Sequence, residues 1–157
     1  MPINVKECIE FSRTLHEEAL QLKQINVQAI IPGDLYILAD KTCFINNIVN
    51  NILSNAIKFS YPDSSIEIYS TDSSDFTNIH FKDYGVGIKR NILDDIFHSS
   101  QIITSKGTND EYGHGLGSNL IREYMLLFGG KILVTSVAKE ETTAEHGTLI
   151  KLMFPKS

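Results

Sequence analysis

The stretch from Lys41 to Phe59 most restricts what this chain can fold into. Ile45, Ile48, Ile52, Ala56 and Phe59 recur at three- and four-residue steps, the period of a helix with one buried stripe. Asp40 stands where an N-cap belongs, and Tyr61-Pro62-Asp63 ends the pattern. On a neighbouring face Asn47, Asn51, Asn55 and Lys58 recur at the same steps. Asparagine costs ~0.5 kcal/mol or more relative to alanine inside a helix, so a row of it asks for a reason.

Two readings of that row stand at this level. One is a solvated polar face. The other is a row of amides over a phosphate site, where an Asn55 oxygen could enter the octahedral shell of Mg²⁺ and Lys58 could face a phosphate as a compact charge.

The rest of the chain alternates between helix and strand patterns. Residues 5–22 have helical spacing, 25–30 and 35–39 read as short strands, and Ile66, Ile68 and Phe76 to Lys82 read as two strands across a polar turn at Ser70 to Asp75. A short amphipathic piece spans Ile88 to Phe97, and Ser99 to Gly113 is polar without periodicity. A loop of that length inside a small domain is usually a lid or a disordered segment. Ser118 to Phe128 reads as a helix closed by Gly129-Gly130, and Lys131 to Val137 and Leu149 to Phe154 as the last strands.

Two glycine-bearing segments complete the pattern. Asp83-Tyr-Gly85-Val-Gly87 follows a strand end, where glycine lets a ligand approach the backbone. An aspartate there could accept a hydrogen bond from an adenine amino group and reject guanine, although a strand-ending turn capped by Asp has the same letters. Gly113-His-Gly115-Leu-Gly117 opens a helix, and amides cleared of side chains at a helix N-terminus are an anion site as readily as a flexible loop. It is not a P-loop, because no Gly-Lys-Ser/Thr follows it and no strand pattern precedes it.

Bulk properties narrow the classes. With 157 residues, 42% of them hydrophobic, the chain can bury one core and has little room for two. A net charge of −5 with scattered Lys and Arg leaves no electrostatic footprint for nucleic acid. No apolar run approaches the ~20 residues that span a bilayer, so no membrane contact by this domain is expected. Cys8 and Cys43 lack metal-ligand spacing and read as reduced thiols.

In order and spacing, these segments resemble the GHKL superfamily. Asn51 to Phe59 is similar to its N box, Asp83 to Gly87 to its G1 box and Gly113 to Gly117 to its G2 box. The nearest resemblance is to the catalytic, ATP-binding domain of sensor histidine kinases, from about Ile25 to Pro155. It implies a Bergerat fold: a two-layer α/β sandwich in which a mixed β-sheet carries helices on one face and ATP lies under a mobile lid. It also implies a division into residues 1–22, a linker or the tail of a dimerisation hairpin, and residues 23–157, the catalytic domain.

Carried over residue by residue, the resemblance makes Asn55 the Mg²⁺ ligand and Asn51 and Lys58 the catalytic contacts to the phosphates of ATP. Phe59 lies against the nucleotide, Asp83 reads adenine, and Gly85 and Gly87 shape the pocket wall. The amides of Gly115, Leu116 and Gly117 hold phosphates, Lys106 is a lid cation, and Thr148 is a further nucleotide contact. The chain departs from the pattern at His98-Ser99-Ser100, where a second lid aromatic is usual, at Ser118, and at the single Gly147 of the last box.

No phospho-accepting histidine is recognisable. His16-Glu17 lacks the arginine and proline that follow in that motif, and His80, His98, His114 and His146 are isolated. The implied partners are therefore a separate dimerisation and histidine-phosphotransfer domain and, downstream, the receiver domain of a response regulator. The implied location is cytoplasmic, including the cytoplasmic part of a membrane-bound sensor. Two other classes compete: a stand-alone serine kinase of the anti-sigma-factor type, and a GHKL ATPase or non-transferring nucleotide-binding domain. In the ATPases, and commonly in the anti-sigma kinases, a glutamate stands where this chain has Asn51, and an amide cannot act as a general base. That substitution favours the histidine kinase.

Overall fold

Alternating residues of one strand separate an apolar face of the sheet from a polar one. The strand is β5 (Phe76–Asp83), in the middle of a sheet ordered β2-β4-β5-β9-β8. Its partners are β4 (Ser65–Asp72) and β9 (Gly147–Pro155), both antiparallel to it. β2 (Asn26–Ile30) adds in parallel to β4, and β8 (Lys131–Val137) antiparallel to β9, so the sheet is mixed. The structure is a computed structural model that describes residues 2–86, 104–106, 112–114, 116–137 and 146–156.

On the packed face, Ile79 and Phe81 of β5 stand in register with Leu152, Ile68 and Ile150, and Ile66 and Phe154 extend the row. Successive strand residues point to opposite sides, so the same register puts Glu67, Tyr69, His80, Lys82 and Lys151 on the other face. The helices cover only the first set, giving the expected two-layer α/β sandwich. The His80 ring stacks on Tyr69 at 4.5 Å, and its Nε2 lies 2.8 Å from Thr71 Oγ1.

The predicted long helix is continuous from Lys41 to Phe59 but not uniform. It begins as α3 (Lys41–Cys43), passes through a π-helical stretch (Phe44–Val49), and continues as α4 (Asn50–Phe59). Asp40 caps it as expected, accepting from the Cys43 amide at 2.9 Å. The buried stripe is wider than the spacing predicts. Besides Ile45, Ile48, Ile52 and Ala56, residues Phe44, Val49, Leu53 and Ile57 are buried, because the helix is flanked by other helices as well as backed by the sheet. Phe59 is the exception to the predicted stripe and is only half-buried.

Residues 5–22 form two helices rather than one: α1 (Val5–Leu15) and α2 (Glu17–Lys23). His16 separates them with φ −103° and ψ 9°, and its Nδ1 sits 2.9 Å from the Ser12 carbonyl. Apolar spacing does not register such a kink, because the stripe resumes on its far side. Val5, Cys8 and Ile9 are fully buried in the same core as the sheet. Ser12 Oγ donates to Asn50 Oδ1, tying α1 to the start of α4.

Three short strands have no counterpart in the sequence reading. β1 (Pro2–Asn4) pairs with β3 (Tyr36–Leu38) in a separate ribbon, and β6 (Thr104–Lys106) pairs with β7 (Tyr112–His114) inside the stretch read as aperiodic. β4 also runs to Asp72, so Ser70 to Asp72 belong to a strand and only Ser73 to Asp75 to the turn. α5 (Leu116–Leu127) starts two residues before its predicted beginning. It ends as expected at Gly129, which has φ +74°, and Gly130, where a Cβ would lie 2.9 Å from Met125 Cε. Ile88 to Phe97, together with Gly87, His98 and Gly115, falls outside the described residues.

Phe44 is fully buried and meets Phe154 edge-on at 5.8 Å, joining the π-helical stretch to the sheet. Phe44→Ala is expected to lower unfolding free energy by about 3–5 kcal/mol, a large share of the ~5–15 kcal/mol typical of a domain. Urea denaturation checks this through a lower midpoint at unchanged slope.

Candidate functional site

The amide row of the long helix lies half-buried along one side. Asn47, Asn51, Asn55 and Lys58 all have intermediate exposure, unlike the buried apolar stripe beside them. The Asn51 amide nitrogen donates to the Asn47 carbonyl at 2.7 Å. The Lys58 Nζ lies 5.7 Å from the Phe59 ring centroid, so the last turn presents a cation next to an aromatic face.

The segment after β5 docks on the end of this helix. The Val86 amide donates to the Phe59 carbonyl at 3.0 Å. Gly85 is buried beneath it, and a Cβ there would stand 2.6 Å from the Phe59 carbonyl carbon and closer still to its oxygen. Glycine is required here by approach, not by a turn. The two motifs, distant in sequence, thus meet through one backbone hydrogen bond and one missing side chain.

Asp83 sits at the last position of β5, 8% exposed, opposite Thr148 on β9 and Ile66 on β4. Burial pushes its carboxyl up to about 6, against the pull of hydrogen bonds from the Gly85 and Thr148 amides. The Gly85 bond measures 2.9 Å. Two backbone donors leave acceptor capacity on a carboxylate with about four lone-pair sites. Thr148 Oγ1 meets Ser136 Oγ at 2.8 Å, which fixes that side chain across β8 and β9.

Three further residues meet at this place: Gly147 of the last box, and His146 and Lys23, to which the sequence reading gives no role. His146 had read as isolated, yet its Nδ1 lies 2.5 Å from the Gly85 carbonyl and its ring stands edge-on to Tyr61 at 6.1 Å. Gly147, with φ +136°, passes so close that a Cβ would lie 2.9 Å from Tyr84 Cα. Lys23 reaches the carbonyls at the end of α4, 2.8 Å from Ile57 O, 2.9 Å from Lys58 O and 3.1 Å from Ser60 O. Spacing gives no signal for these contacts, which join distant parts of the chain.

The third glycine segment is brought alongside. β7 lies against α4, and Leu116 and Gly117 open α5, where the first amides of a helix have no intrahelical acceptor. Lys106 ends β6, opposite Tyr112. A groove of about 480 Å³ between α1, α2 and β2 is lined by Arg13, Glu17, Gln21 and Asn26 among others, and by none of these residues.

Residues 42–157 match the family of histidine kinase-, DNA gyrase B- and HSP90-like ATPases. The chain belongs to that family. Among its relatives are the sensor protein KdpD of Clostridium acetobutylicum, 27% identical over 97% of this chain and 17% of that protein, and the sensor protein kinase GraS of Staphylococcus aureus, 28% identical over 98% of this chain and 42% of that protein. The chain therefore spans less than half the length of either relative. The catalytic domain of the histidine kinase ThkA superposes with a TM-score of 0.80 at 26% identity, covering 99% of this chain and 97% of that one. ThkA has also been solved in complex with the response regulator protein TrrA, where the match has a TM-score of 0.72 at 23% identity over 100% of this chain and 42% of that one. Among the described residues no helix is long and apolar enough to cross a membrane.

Because burial holds the folded carboxyl of Asp83 neutral up to about pH 6, against 3.8 unfolded, its proton contributes to native stability fully below pH 4. That contribution is lost as pH rises through 6, by up to ~3 kcal/mol. Asp83→Asn is expected to flatten the stability profile between pH 4 and 6, read from urea midpoints across that window.

Proposed function

We propose that this chain is the ATP-binding catalytic domain of a two-component sensor histidine kinase. It would transfer the γ-phosphoryl group of ATP to a histidine on a separate dimerisation domain, for relay to an aspartate on a response regulator. The observation that most supports this is the docking of the Asp83–Val86 segment on the carbonyl end of the helix carrying Asn51, Asn55 and Lys58. A base-reading carboxyl and a phosphate-facing row then belong to one rigid corner. The kinase relatives, and the ThkA complex with a response regulator, support the class and its partners.

The residues fit the ligand. Asp83 retains acceptor capacity for an exocyclic amino group, and the half-buried Asn55 offers the hard oxygen donor that Mg²⁺ takes. When bound, the ion would neutralise phosphate charge. Asn55 would hold it, and Asn51 and Lys58 would orient the phosphates as the catalytic contacts. The Leu116 and Gly117 amides would receive them at the start of α5, with Gly115 completing that loop and Lys106 closing from β6. Phe59, Gly85, Gly87 and Thr148 would wall the base and sugar. Catalysis in such a site is positioning and electrostatics, with the imidazole of the acceptor as nucleophile. Since Asn51 is no general base, the site would hold ATP for transfer rather than spend it on water.

Residues 23–157 would form this catalytic unit, and residues 1–22 would lead into it from the dimerisation hairpin while packing on its core. The domain would work in the cytoplasm, without membrane contact of its own.

Calorimetry tests the site. Asn55→Ala and Asp83→Ala are expected to weaken Mg-ATP binding by at least about tenfold to a hundredfold, the worth of a charge-assisted bond. In the wild type, affinity is expected to weaken as pH falls through about 6, because a neutral Asp83 carboxyl accepts the adenine amino group less strongly than the carboxylate does. Unchanged affinity in either variant overturns the assignment. The class is tested with labelled ATP and a supplied hairpin domain: acid-labile phosphate on the hairpin supports a histidine kinase, and acid-stable phosphate a serine kinase.

A further inference from the structure

Lys23 is the last residue of α2 and only 6% exposed, yet nothing in the nucleotide reading uses it. Its Nζ sits beneath the end of α4, within 2.8 Å of Ile57 O, 2.9 Å of Lys58 O and 3.1 Å of Ser60 O. The last carbonyls of a helix have no intrahelical donor and carry the negative end of its dipole, so a lysine head with three N–H groups complements them in number and sign. The neighbouring carbonyls are also taken. Ala56 O accepts from the Ser60 amide at 3.0 Å, and Phe59 O from the Val86 amide at 3.0 Å. Every carbonyl from Ala56 to Ser60 is thereby occupied, and Lys23 serves three of the five. The Asp63 amide closes the turn by donating to Lys23 O at 2.9 Å.

We infer that Lys23 is a positioning residue for nucleotide binding, holding the last turn of α4 so that Lys58, Phe59 and the Gly85-Val86 segment stand in register with one another. The inference rests on the nucleotide reading above. Its logic is geometric. The turn that Lys23 caps carries Lys58 and Phe59, and the same turn presents the one carbonyl on which the Asp83 segment docks. Releasing that end would let the phosphate-facing and base-facing halves of the site move relative to each other. A cap with only a structural role would lower the melting temperature and leave the folded protein's affinity intact.

The test uses this chain with Lys23→Met, which keeps the buried stem and removes the donors, and Lys23→Arg, which keeps charge and donors but spreads them over a plane. Mg-ATP affinity is measured by calorimetry at a temperature where circular dichroism shows each variant folded, and amide hydrogen exchange is followed in parallel. The expected result is a dissociation constant raised about tenfold in Lys23→Met and less in Lys23→Arg, with faster exchange at Val86 while sheet amides such as Ile79 keep their relative protection. Affinity and Val86 exchange matching the wild type in folded Lys23→Met overturn the inference. If Lys23→Met does not fold, Lys23→Arg decides: weaker binding with faster Val86 exchange supports it, and unchanged values overturn it. A wild type that fails to bind Mg-ATP overturns the nucleotide reading itself, and this inference with it.

Discussion

The end of α4 is where this domain is held together. A helix that stops inside a protein leaves carbonyl groups facing a medium that cannot solvate them, and each must find a donor. Here the donors come from two distant places: the head of Lys23, from the end of α2, and the Val86 amide, from beyond β5. Satisfying one helix terminus therefore ties the N-terminal helices, the long helix and the centre of the sheet together. Gly85 is the steric counterpart, since any side chain would block the approach that lets Val86 reach Phe59.

The same corner explains the state of Asp83. As the last residue of a central strand, it is enclosed by β4 on one side and β9 on the other, with Gly147 passing against its backbone. Enclosure disfavours the charged carboxylate, and two backbone amides only partly offset it, which puts its titration near 6. A carboxyl buried at this cost and left with acceptor capacity is suited to a ligand donor that arrives without water.

Much of this was legible in the residues, and what was missed has a common cause. The long helix, its Asp40 cap, the alternation of helices and strands and the closing Gly129-Gly130 are local, and local periodicity and turn chemistry reveal them. The kink at His16, the π-helical stretch at Phe44–Val49 and the strands β1, β6 and β7 leave no distinct mark on the apolar spacing, so pattern does not register them. The extension of β4 through Ser70 to Asp72 was hidden because those residues are polar and were read as a turn. Among site residues, Asn51, Asn55, Lys58, Asp83 and Gly85 stood out by type and spacing. Lys23 and His146 did not, because an isolated lysine or histidine carries no spacing to read.

The sequence by itself determined the helix with its amide row, the order of the longer strands and helices, and glycine at position 85, where backbone must pass close. These depend on side-chain shape and on neighbours within a few residues. The tertiary structure alone decided that β5 lies between β4 and β9, that Asp83 is enclosed, and that Lys23 closes a helix 34 to 37 residues further along. Burial and helix-end satisfaction are set by groups remote in the chain, and only folding brings those groups within hydrogen-bonding reach.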